Sequence, residues 1–135
     1  MTAPGGDELE VIRDSYRELT GGVPESIEAR LRVAGATGRE AAVASVEATR
    51  RALIMENPLG RRVGQIVHFA QLVALQRGAP ARLHARAALR AGATLAELTG
   101  AAELALITAG MPAYSLGIEI CAELLEEAGS PGERP

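Results

Sequence analysis

The chain has no lysine and no tryptophan, and it has one cysteine and one phenylalanine. Without lysine there is no amine for Schiff-base chemistry, and all 14 basic residues are arginine. Aspartate is confined to Asp7 and Asp14 near the N-terminus. Aromatic residues make up 2% of the chain and the net charge is −3, which leaves neither a basic footprint nor stacking platforms for nucleic acid. A lone thiol, Cys121, has no partner in the chain for a disulfide. No apolar run approaches the roughly 18 to 20 residues that span a bilayer. The acidic, polar start MTAPGGDELE is unlike a signal peptide. The expectation is a soluble, cytoplasmic protein with no membrane or nucleic-acid partner.

These absences leave proton chemistry to His68, His84, the glutamates, Tyr16, Tyr114 and the thiol. With 135 residues, 47% of them apolar, the chain is long enough to bury one real core. The Gly- and Pro-rich ends, residues 1–6 and 129–135, read as flexible tails around a single domain at 7–128.

Apolar spacing predicts helices and nothing else. Leu9, Ile12, Tyr16 and Leu19 mark a first amphipathic helix from Asp7 to Leu19. Pro24 opens a second, which carries Ile27, Leu31 and Val33 and ends at Gly35 or Gly38. Thr37-x-x-Glu40 reads as a capping box for a third, with Val43, Val46, Leu53 and Ile54 apolar and Arg50-Arg51 on a solvated face. Asn57-Pro58 reads as the start of a fourth helix, whose run VGQIVHFAQLVAL is apolar nearly all round and therefore expected to be buried and central. Pro80 begins the helix of His84. Thr94-x-x-Glu97 caps the next, with Leu98, Ala101, Ala102, Ala105 and Ile107 for packing, and Pro112 starts the last, with Leu116, Ile120, Leu124 and Leu125. No alternating strand pattern and no repeat occurs, so the fold class is all-α. The many alanines make thin helices whose faces call for partners, so a homo-oligomer is expected.

His84 shares its helix face with Ala87, Ala88 and Ala91. Small neighbours leave space over the ring, as a ligand pocket requires; the alternative is a buried histidine satisfied by a carbonyl. His68 follows Gln65 by one turn and precedes Leu72 by one turn. That polar pair either makes a core contact or joins the pocket of His84. Two histidines without His-x-x-x-His or Glu-x-x-His spacing argue against a metal. Arg82, Arg86 and Arg90 form a stripe expected to be mostly solvated, with Arg86 within reach of the pocket rim as a carboxylate anchor. Arg61 and Arg62 are open to either reading. Glu103, alone in an apolar helix, suggests a raised pKa or, more simply, a structural ion pair. Nucleophile elbows, phosphate loops and Cys-x-x-Cys are absent, and Cys121 reads as a small core residue.

The run LHARAALRAGATLAELTGAAELALITAGMPA resembles the carboxymuconolactone decarboxylase and AhpD-like family through His84, Ala88, Gly92, Thr94, Glu97, Gly110, Pro112 and Ala113. Good similarity extends from about Pro58 to Leu125 and continues more weakly upstream around GGVPESIEARL. The resemblance implies an antiparallel bundle of about six to seven helices, assembled as trimers or hexamers, with a pocket around the histidine. Peroxidase-like members carry Cys-x-x-Cys-x-x-x-His with an upstream glutamate. Here Arg77 and Pro80 occupy the thiol positions and Gln65 the glutamate. A dithiol peroxidase needs both thiols, so that activity is not expected. Decarboxylase members commonly have a glutamate four residues before the histidine, where this chain has Pro80.

The resulting expectation is a cofactor-independent lyase or isomerase for a small carbonyl or carboxylate compound, working by histidine acid–base chemistry. His84 and His68 are the catalytic candidates. Gln65, Arg86, Tyr114 and Leu72 are the substrate-contact candidates, and no cofactor or metal is expected. The alternative is a non-catalytic oligomeric protein that binds a small apolar ligand.

Overall fold

The computed structural model describes residues 4–129, which form seven α-helices and no strand. They are α1 (Pro4–Thr20), α2 (Glu25–Thr37), α3 (Glu40–Met55), α4 (Gly60–Ala74), α5 (Gly78–Arg90), α6 (Leu95–Ala109) and α7 (Met111–Ala128). Two compact units divide them, lying within Met1–Asn57 and Pro58–Pro135. Of the expected tails, Pro4 to Gly6 belong to α1 and Gly129 caps α7, while residues 1–3 and 130–135 lie outside the described residues.

In the first unit α3 packs on both α1 and α2. Its apolar core is Ile12, Tyr16, Ile27 and Leu31, joined by Leu9, Val23 and Val43. Two expected helix starts are corrected here. Thr37 and Glu40 make no capping box, because Thr37 is the last residue of α2 and its hydroxyl bonds back to the Val33 carbonyl at 2.7 Å. Gly38 closes α2, and only Arg39 remains to precede α3. Asn57 likewise does not cap α4; its side-chain amide donates to the Leu53 carbonyl at 3.0 Å at the end of α3, and α4 starts at Gly60.

The second unit is built on α4, which packs against α5, α6 and α7, while α6 packs on α7. Phe69, Val73, Leu98, Ile120 and the alanines of α5 and α6 fill its core. The expectation that α4 is buried all round is not met: Gln65, Phe69 and Val73 are buried, whereas Val67, Gln71 and Leu75 are exposed. Small residues allow close helix approach. A Cβ placed on Gly117 of α7 would meet the Ala102 Cβ of α6 at 2.6 Å, so only glycine fits at that crossing. Gly110 turns the chain from α6 into α7 with φ +89°, a conformation that side chains rarely adopt. Ile107, expected to pack, is 80% exposed on the outer face of α6.

Candidate functional site

The Thr94 to Glu97 motif forms the capping box read from its spacing. Glu97 N–H donates to Thr94 Oγ1 at 3.1 Å, and Thr94 N–H donates to Glu97 Oε1 at 3.0 Å. The other Glu97 oxygen accepts from Arg62, which ties α6 to α4. These bonds, that of the Thr94 backbone first, hold the Glu97 carboxyl below the usual carboxylate range. Glu97 is thus engaged in starting and anchoring a helix.

The same packing of α4 and α5 brings the two histidines together. Their ring centroids are 3.9 Å apart with planes tilted by 40°. His84 is 2% exposed, and its Nδ1 lies 2.7 Å from Oε1 of Gln65, itself 2% exposed. An amide oxygen only accepts, so Nδ1 carries the hydrogen of this bond. His68, partly buried, is the more accessible ring of the pair. Periodicity alone left open whether the histidines shared a site; the fold places Gln65, His68 and His84 in one cluster.

The remaining candidates have the following surroundings. Arg86 donates to Glu127 of α7 at 2.5 Å, and Arg82 makes a two-pronged pair with Glu123 at 2.9 Å while also meeting Glu119. Two members of the expected solvated arginine stripe therefore clasp α5 to α7. Leu72 packs, partly buried, against the core, and Tyr114 is partly buried on α7. Glu103 is exposed. Cys121 is buried, and that burial pushes its thiol up from the ordinary range, away from the thiolate needed for nucleophilic work. Among the described residues, no three His, Cys, Asp or Glu side chains cluster to hold a metal.

A model of the carboxymuconolactone decarboxylase family matches residues 40–123, which include all three members of the cluster. The chain belongs to the carboxymuconolactone decarboxylase family. Within this family member the matched stretch runs from α3 into α7. No match was found among curated proteins or among solved structures.

One polar cluster escaped sequence reading altogether. Glu47 of α3 is 7% exposed; its Oε2 accepts from the Tyr16 hydroxyl at 3.0 Å and its Oε1 accepts from Arg30. Burial pushes the Tyr16 hydroxyl up from its usual range. A signal was available: Val43, Glu47, Arg50 and Ile54 recur at helical spacing, so a charge stood on the apolar stripe.

Proposed function

We propose that the family member is a cofactor-independent lyase or isomerase for small carbonyl or carboxylate compounds, with His84 as its general acid or base. The observation that carries this reading is the 2.7 Å bond from His84 Nδ1 to Gln65 Oε1. It fixes the tautomer, so that Nε2 is the nitrogen that takes a proton from a carbon acid or returns one to an enolate. Gln65 is a positioning residue: an amide neither gains nor loses a proton at working pH, so it orients the ring without relaying charge. His68, its ring tilted against that of His84 at 3.9 Å and more accessible, meets substrate first and hydrogen-bonds the developing oxyanion. Two imidazolium rings at this separation would repel, so the pair suits one mobile proton.

Arg86, held by Glu127, serves helix packing on this reading instead of anchoring a substrate carboxylate. The exposed Leu104, Ile107 and Met111 around the end of α6 support assembly into a homo-oligomer. Steady-state kinetics on lactone carboxylates and β-keto acids test the proposal. His84→Ala should abolish turnover while Gln65→Leu lowers kcat with little change in KM; wild-type turnover by His84→Ala would refute it. The burial of His84 favours a second reading, a non-catalytic ligand-binding protein in which the Gln65 bond is a core contact. In that case no substrate turns over and His84→Ala is read only in stability.

A further inference from the structure

A groove of about 190 Å³ runs between α1 and α3 in the first unit, and none of the histidine cluster lines it. Its walls are aliphatic: Val11, Ile12 and Leu19 from α1, Ile54 and Met55 from α3. One turn before Ile54 and Met55, Arg50 and Arg51 also face the groove. Their electrostatic setting is uneven. Glu47 is already met by Arg30 and Tyr16, and its oxygen is 3.6 Å from Arg50 Nε, beyond a hydrogen bond. Arg50 Nε is buried and has no hydrogen-bond partner among the described residues. Arg51 reaches Ser15 Oγ at 2.9 Å. The buried carboxylate of Glu47 is thus shared between Arg30 and, at ion-pair distance, Arg50, and the groove's other carboxylate is the exposed Glu8.

A buried N–H that has lost water and gained no acceptor is costly, and an incoming acceptor removes that cost. We infer that this groove binds a small amphipathic carboxylic acid, its carboxylate on Arg50 and Arg51 and its apolar body along the α1 and α3 side chains. Size limits the ligand. An apolar cavity of about 150 Å³ admits benzene, so this one suits about a six-membered ring bearing a carboxylate. No residue assigned to proton transfer lines the groove, and the inference is independent of that assignment.

The test is titration of the full chain with cyclohexanecarboxylate and with its neutral analogue cyclohexanecarboxamide, followed through the methyl resonances of Ile12, Ile54 and Met55. The acid should shift these methyls and leave Ile120, in the other unit's core, unmoved. The amide should bind at least about tenfold more weakly, as loss of a charge-assisted pair implies. Arg50→Gln should weaken the acid to a similar degree, and His84→Ala should leave binding unchanged. Because the acid and amide comparison uses the wild-type chain, a misfolded Arg50→Gln variant does not blunt it. Equal binding of acid and amide, or no methyl shift with acid, would overturn the inference. Shifts that follow protein concentration alone would assign the groove to a second copy of the chain, and would also overturn it.

Discussion

Gln65 and His84 form a buried hydrogen-bonded pair, and this makes Gln65 the most informative residue to change. Gln65→Leu leaves Nδ1–H of His84 without its acceptor, at a cost of about 1–3 kcal/mol, which chemical denaturation would read as a lower midpoint at unchanged slope. Gln65→Glu sets a carboxylate against the same nitrogen and should raise the His84 pKa relative to the parent chain, followed by imidazole chemical shifts against pH. An unchanged titration would mean that residue 65 does not contact the ring in solution. Tyr16→Phe removes one donor from the buried Glu47 carboxylate and should destabilise the fold by about 1–3 kcal/mol. Local spacing made His84 and Gln65 legible as candidates, because both interrupt apolar or alanine-rich helix faces. Their meeting was not legible, since 19 residues separate them and periodicity carries no information about which faces touch. Glu47 was lost for the same reason, its partners Tyr16 and Arg30 lying 31 and 17 residues away.

At the scale of elements, two sequence patterns of the same form had different outcomes. Thr94 and Glu97 follow a turn that leaves Thr94 extended, so both cap bonds form. Thr37 and Glu40 have the same spacing, but Gly38 ends α2 after Thr37, and a residue still inside one helix cannot cap the next. The crossing of α6 and α7 yields a packing prediction. Gly117→Ala gains helix propensity of about 1 kcal/mol but drives its methyl into Ala102, and overpacking of about 1–3 kcal/mol should dominate. Thermal unfolding should show a lower Tm, and Ala102→Gly in the same chain should restore it. The arginine clasps give a pH dependence. Arg82 holds the Glu123 carboxyl, and Arg13 holds that of Glu28, below the ordinary value, as Thr94 and Arg62 do for Glu97. Carboxyls depressed in the folded state stabilise it fully above the unfolded pKa near 4.5, and that contribution is lost as pH falls through the lower folded values. Urea midpoints should therefore fall as the pH is lowered below about 5, and less steeply in high salt because these pairs are partly exposed to solvent.

The whole molecule comprises two compact units, and family membership was legible from the His84 to Ala113 stretch alone. Helix number and class were equally legible, because apolar spacing is local. Which apolar side chains are covered was not: Val46, Leu53 and Ile107 keep helical spacing yet face outward. If α6 contributes to a homo-oligomer, Ile107→Glu should lower the mass measured by light scattering, whereas an unchanged mass would remove α6 from the interface. No helix among the described residues is long and apolar enough to cross a membrane. The proposed chemistry rests on His84 moving a proton to or from carbon. Its most direct measurement is deuterium incorporation from heavy water into the α-carbon of a small β-keto acid or lactone carboxylate turned over by the protein. Exchange that is lost in a folded His84→Ala chain is the predicted result; exchange that continues at the wild-type rate in that chain would contradict it.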